Sequence, residues 1–195
     1  ERIIHFAFNL AIHRQKKRKV TCVDKANVFR SMAFFRQIYD RIAKDYPSVS
    51  PDHAYIDAFA LYLLQKPQTY DVIVTENMYG DILSDLAAGL VGGMGMTPSA
   101  DIGEHSAIFQ PSHGTAPDIA GQNIANPIGM ILSVKLMLLW LADQKKDPVC
   151  TKQASRLSLA VSQVLSDKSY RTPDLGGDLT TTELSKAIVN FLRES

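Results

Sequence analysis

Short apolar or β-branched runs that lead into amphipathic helical patterns constrain this chain most, because each such strand needs a helical layer to cover it. Residues 20–23 (Val-Thr-Cys-Val) form one run, and after Asp24-Lys25-Ala26-Asn27 a helical pattern carries Val28, Met32, Phe35 and Ile38. Residues 72–74 (Val-Ile-Val) form a second, and the helix after it is expected to start at Asp81, where Gly80 breaks the pattern. Between them, past Tyr46-Pro47-Ser48, helical spacing puts Ala54, Ala58, Leu61 and Leu64 on one face. The opening segment does the same for Ile3, Ala7, Leu10 and Ala11 and runs into Arg14, Lys16, Lys17, Arg18 and Lys19. Those cations suit a helix C-terminus, where they meet its partial negative charge, and they are assigned no function. The fold class is α/β.

The glycine-rich stretch at 91–95 is the expected hinge, giving a domain over residues 1–92 and another over 93–195. Beyond it come short extended pieces and a long Pro- and Gly-marked loop at 111–127. Three helices follow, at 128–142, near 157–165 and near 182–192. The first is densely apolar but is interrupted by Ser133 and Lys135 and is too short to span a bilayer, so it is expected to be buried.

The charge balance is nearly even, 21 Lys plus Arg against 20 Asp plus Glu, and gives no broad electrostatic reason to bind nucleic acid or an anionic membrane. A small metabolite is the expected partner. Cys22 and Cys150 lie far apart without metal-type spacing, as reduced thiols of a cytosolic or matrix-like compartment would, so a cytoplasmic location is expected. The chain opens on Glu1, inside what reads as a helix, with no secretion signal, and further sequence upstream is expected.

Asp81 and Asp85 are four apart on the expected helix, so two like charges share one face and ask for compensation. Taken alone, the pair reads as a helix cap and a solvent-facing residue. Asp57 lies in the apolar context Tyr55-Ile56-Asp57-Ala58-Phe59, where burial is expected, and buried aspartates need partners. Three carboxylates converging from two segments would suit a hard divalent cation.

Three stretches are similar, in order and spacing, to the β-decarboxylating dehydrogenases of the isocitrate/3-isopropylmalate dehydrogenase family. They are Val-Thr-Cys-Val-Asp-Lys-Ala-Asn-Val at 20–28, Asp-Val-Ile-Val-Thr-Glu-Asn at 71–77 with Gly-Asp-Ile-Leu-Ser-Asp at 80–85, and His-Gly-Thr-Ala-Pro-Asp-Ile-Ala-Gly at 113–121 with Ala-Asn-Pro at 125–127. The likeness covers nearly the whole chain but only the later part of the family's usual length. It implies two α/β domains with the amino-terminal part of the larger one missing. Residues 1–92 would be the smaller dimerisation and metal-site domain, and 93–195 the carboxy-terminal part of the cofactor domain.

The resemblance also implies chemistry. Asp57, Asp81 and Asp85 match family aspartates that hold Mg²⁺ or Mn²⁺, one of them across the interface of a homodimer. Such an ion would polarise the hydroxyl of a 2-hydroxy acid and stabilise the enolate left by decarboxylation. Lys25 matches the lysine that works on the hydroxyl proton and typically reaches the active site of the neighbouring subunit, a role that needs a proton easily lost near neutrality. Asn27 would lie by the nicotinamide or substrate; taken alone it reads as a helix cap. His113, Gly114, Thr115, Ala116, Asp118, Ile119 and Asn126 match the adenosine-binding loop, with Asn126 at the adenine edge. Asp118 could accept from ribose hydroxyls and would repel a 2′-phosphate, which favours NAD; NADP-using relatives carry lysine and tyrosine at 118 and 119.

Two features depart from the pattern. Gln110 stands where many relatives have glutamate, and the mixture around Asp24, Ala58 and Asp118-Ile119 leaves the acid open among isocitrate, 3-isopropylmalate, homoisocitrate and malate or tartrate types. The substrate-clamping arginines and proton-donor tyrosine would lie outside this chain, leaving it inactive alone. A regulatory isocitrate dehydrogenase subunit is the competing reading, but such subunits usually lose metal or lysine positions, all of which persist here.

Overall fold

The computed structural model describes residues 1–194. The chain divides into two compact units, Glu1–Ala87 and a second from Ala88 onward, with the break inside a helix just ahead of Gly92 and Gly93, both of which adopt positive φ.

In the first unit, α1 (Arg2–Arg14), β1 (Lys19–Asp24), α2 (Arg30–Ala43), β2 (Ser50–Tyr55), α3 (Ile56–Gln65), β3 (Val72–Val74) and α4 (Asn77–Leu90) follow in order. The three strands form a parallel sheet in the order β2-β1-β3. Central β1 is buried from Val20 to Asp24, as expected of a parallel strand covered on both faces. Alternation sorts its side chains: Val20 and Cys22 pack with α1 and α2, whereas Val23 packs with Phe59 and Leu63 of α3 and Leu83 of α4. Tyr39 of α2 ties the sheet together, its hydroxyl donating to the Val20 carbonyl at 2.7 Å and accepting from the Asp52 amide at 3.2 Å. Phe8 stacks on Tyr46 and lies tilted against Tyr39, with ring centroids at 4.9 and 5.4 Å.

Several local expectations are corrected here. Strand β2 includes Ala54, expected on a helix; its polar Ser-Pro-Asp-His start reflects an edge strand that pairs only with β1, where Pro51 is tolerated. The buried face of α3 is Phe59 and Leu63, leaving Leu61 and Leu64 exposed. On α1 it is Ile4, Ala7, Phe8 and Ala11, while Ile3 and Leu10 face outward. Val28 precedes α2 and is exposed, and Asn27 is not its cap: Phe29 holds that position with no side-chain bond. Helix α4 starts at Asn77 rather than Asp81, because Glu76 caps it through bonds from the Met78 and Tyr79 amides at 3.1 and 2.9 Å. In the basic run, Arg14 is not simply solvated: its Nε donates to Asp71 at 2.9 Å, beside the Arg18 amide at 3.0 Å.

The second unit opens with an antiparallel hairpin, β4 (Pro98–Ile102) and β5 (Ala107–Pro111), followed by α5 (Ile128–Lys145), α6 (Pro148–Ser166) and α7 (Thr181–Glu194). Its core joins Ile128 of α5 with Ala160, Val161 and Val164 of α6 and Leu184 and Ile188 of α7. The expectation of a buried α5 is corrected: only Ile128, Gly129 and Ser133 are buried, and Met130, Val134 and Leu139 are exposed. No helix among the described residues is long and apolar enough to cross a membrane.

Candidate active site

Because β1, β2 and β3 run parallel, their carboxyl ends share one edge of the sheet, the usual place for ligands in open α/β sheets. Lys25 follows directly on β1, and Asp57 lies in the first turn of α3, two residues after β2 ends. The structure brings them together: Lys25 Nζ lies 2.7 Å from Asp57 Oδ1. Asp57 is 68% exposed, which corrects the burial expected from its apolar neighbours: Ile56 and Phe59 pack into the core, while Asp57 points another way from the first turn of α3. The hydrogen bond from Lys25 holds the Asp57 carboxyl below the usual carboxylate range.

Asp81 and Asp85 occupy one exposed face of α4, a turn apart. Asp81 takes long bonds from Asn77 Nδ2, at 3.4 and 3.3 Å. These two carboxylates are available oxygen donors of the hard kind that Mg²⁺ or Mn²⁺ prefers. Among the described residues, however, no group of three or more acidic, histidine or cysteine side chains is gathered closely enough to hold a metal. The donor chemistry fits a divalent ion, but one chain by itself does not bring Asp57, Asp81 and Asp85 together.

Asp24, just ahead of Lys25, is wholly buried and held by Arg36 of α2, whose Nε and terminal nitrogen donate at 2.8 and 2.6 Å. That contact favours the charged guanidinium and raises its pKa further. Tyr55 lies between these groups, 5.0 Å from the Arg36 guanidinium and 6.0 Å from Lys25 Nζ. Sequence reasoning missed Arg36 and Tyr55 as site neighbours; α2 carries Arg30, Arg36 and Arg41, and nothing local marks which of them reaches the strand-end aspartate. Arg36 and Tyr55 also line an open cleft of about 530 Å³ with Lys19, Asp52, Tyr62 and Lys66.

In the second unit the loop that starts at His113 lies at the end of β5. The His113 Nδ1 donates to the Gly114 carbonyl at 2.9 Å, leaving Nε2 for another partner. A Cβ at Gly114 would project into open space, room into which a bound group could reach. Ala116 adopts φ 43°, a left-handed conformation unfavourable for a residue with a Cβ, and leads into a 3₁₀ turn over Pro117–Ile119. Asp118 is exposed, so its carboxylate can accept from hydroxyls. The loop is fastened at its far end, where Thr181 Oγ1 donates to the Ala125 carbonyl and the Thr182 hydroxyl to Asn123 Oδ1.

Asn126 is buried and its amide is used inside the fold, accepting from the Ile128 amide at 2.9 Å and donating to Asp174 at 3.0 Å. The packing is tight enough that a Cβ at Gly95 would come within 2.9 Å of Asn126 Cβ. Asp174, unforeseen from sequence, completes this anchor with a bond from Thr172 Oγ1 at 2.5 Å.

A parallel sheet carrying a lysine–carboxylate pair at its carboxyl edge, followed by a second unit with an exposed, strained loop, defines an α/β protein. The isocitrate/isopropylmalate dehydrogenase family profile matches residues 1–188, and the chain belongs to that family. It is 46% identical to the 3-isopropylmalate/3-methylmalate dehydrogenase of Methanocaldococcus jannaschii, over all of this chain and 57% of that protein. With the homoisocitrate dehydrogenase of the same organism it shares 44% identity, over all of this chain and 53% of the relative. The crystal structure of isocitrate dehydrogenase from Methylococcus capsulatus superposes with a TM-score of 0.88 and 42% identity, covering 98% of this chain and 55% of that one. The chain thus spans about half the length of the relatives it matches.

Proposed function

We propose that the protein carrying this chain is an NAD-dependent, metal-requiring dehydrogenase that oxidises and decarboxylates a 2-hydroxy acid with a β-carboxylate, of the 3-isopropylmalate or isocitrate type. Homoisocitrate or D-malate and tartrate are the alternative acids. The observation that carries the reading is the Lys25–Asp57 pair at the carboxyl edge of the sheet, in a chain of this family.

Asp57, Asp81 and Asp85 would hold Mg²⁺ or Mn²⁺, which when bound supplies Lewis acidity toward the hydroxyl and the adjacent carboxylate. Lys25, with Nζ as the neutral amine, would take the hydroxyl proton while NAD, when bound, would serve as the hydride acceptor, and Asp57 directs that nitrogen by the contact already present. Asp118 accepts from the ribose hydroxyls, and its charge disfavours a 2′-phosphate. Asn27, His113, Thr115 and Ile119 shape the cofactor's surroundings, with Gly114 and Ala116 setting the loop's path. A homodimer supplies the carboxylate that one chain does not gather.

The test is NADH formation by the complete protein with Mg²⁺ or Mn²⁺, offered isocitrate, 3-isopropylmalate, homoisocitrate, D-malate and tartrate in turn. One acid should give turnover. Asp85→Asn should lower metal-dependent activity roughly 100-fold, and Lys25→Met by about 10² to 10⁴. No NADH from any of the five would favour the regulatory-subunit reading, and unchanged metal dependence in Asp85→Asn would remove the metal assignment.

A further inference from the structure

The wholly buried Asp24 carboxylate receives four donors. The Ala26 amide and an Arg36 terminal nitrogen reach Oδ1 at 2.9 and 2.6 Å, and Arg36 Nε and Cys22 Sγ reach Oδ2 at 2.8 and 3.6 Å. Four donors fill a carboxylate's lone-pair capacity, so Asp24 has one place to be. The Ala26 bond closes an Asx-turn with Lys25 in the middle, which fixes how the chain leaves β1. The Lys25 carbonyl then takes the Val28 and Phe29 amides, both at 2.9 Å, holding the turn from its other side.

Arg36 makes a second contact with the same rigid plane, lying over the Tyr55 ring at 5.0 Å. Tyr55 ends β2 and stands opposite Asp24 in the β1–β2 register, the last rung before the chains diverge toward Lys25 and Asp57. One guanidinium therefore grips both ends of that rung. A lysine could not do this, because an ammonium offers neither a planar fork nor a face to stack.

We propose that Arg36 is a positioning residue of the site: by forking onto Asp24 and stacking on Tyr55 it locks the paired ends of β1 and β2 and so sets the Lys25–Asp57 contact. The inference rests on reading Lys25 and Asp57 as site residues. Arg36 acts through its neighbours, 23% exposed and paired to Asp24, and takes no part in proton transfer.

The test measures kcat on the complete, unmodified protein and takes NMR spectra of a second sample whose lysines are dimethylated with carbon-13, each giving its own signal. Lys25→Met identifies the Lys25 signal by its loss, and Asp57→Asn marks where that signal falls without its partner. Arg36→Lys keeps the charge but not the fork. The double variant Asp24→Asn/Arg36→Met leaves no lone buried charge and guards against simple unfolding. Both should move the Lys25 signal to its Asp57→Asn position and lower kcat about 100-fold, with KM changed far less. A Lys25 signal that stays in place in folded Arg36→Lys and double variants overturns the proposal, as does wild-type kcat in both. Full activity in Lys25→Met would instead remove the functional reading of Lys25, while the signal still reports whether Arg36 sets the contact.

Discussion

Cys22 and Asp24 project from the same face of β1, and the thiol donates to the carboxylate at 3.6 Å. Burial pushes the Cys22 thiol far above its ordinary range, and the Asp24 charge adds to this. Cys150, partly exposed, is also raised, by desolvation first and then by Asp147, but it can be reached from solvent. Iodoacetamide at pH 8 should therefore modify Cys150 in the native protein and Cys22 only as the first unit unfolds. Peptide mapping across a urea series checks this, and equal native rates would contradict the buried placement of Cys22. Asp57 shows how little a residue's sequence neighbours say about its own exposure, because successive helical positions point in different directions.

Among the elements, α7 carries the clearest local signal. Thr180 and Glu183 form a capping box: the Thr180 amide and hydroxyl donate to Glu183 Oε2 at 2.9 and 2.6 Å, and the Glu183 amide donates back to Thr180 Oγ1 at 3.2 Å. The Thr180 hydroxyl, then its amide, hold the Glu183 carboxyl below the ordinary glutamate range. A depressed folded pKa means the cap contributes fully above the unfolded value, about 4.3, and is lost as pH falls through the lower folded value. Amide exchange at the start of α7 should stay protected down to about pH 4.3 and rise only below it. Glu183 titrating at or above the ordinary value would refute the capped state. By contrast β2 gave no legible pattern, since an edge strand keeps polar side chains in solvent and so loses the alternation that marks a strand.

At the scale of the molecule, helices α3 and α4 keep large apolar side chains exposed. On α4, Met78 and Ile82 stand a turn apart, 59% and 57% exposed, on the helix that carries Asp81 and Asp85, and Leu61 and Leu64 are exposed on α3. The proposed homodimer would use such surface and would supply the missing carboxylate to each site. Ile82→Glu in the complete protein should shift the mass measured by light scattering from dimer toward monomer and lower metal-dependent turnover with it. A variant that stays dimeric with wild-type activity would take α4 out of the proposed interface.

The sequence by itself determined the α/β class, strands β1 and β3 and the membership shown by three long motifs, because buried parallel strands and closely spaced motif residues are local patterns. It also placed Lys25 at a strand end. Only the tertiary structure decided which faces of α1 and α3 turn inward, that β2 is a strand, and that Glu76 starts α4. It alone joined Lys25 to Asp57 and Asp24 to Arg36, thirty-two and twelve residues apart. Helical periodicity offers several nearly equivalent apolar stripes, and a contact between distant residues has no local signature; packing against the sheet chooses among the stripes and makes the contacts.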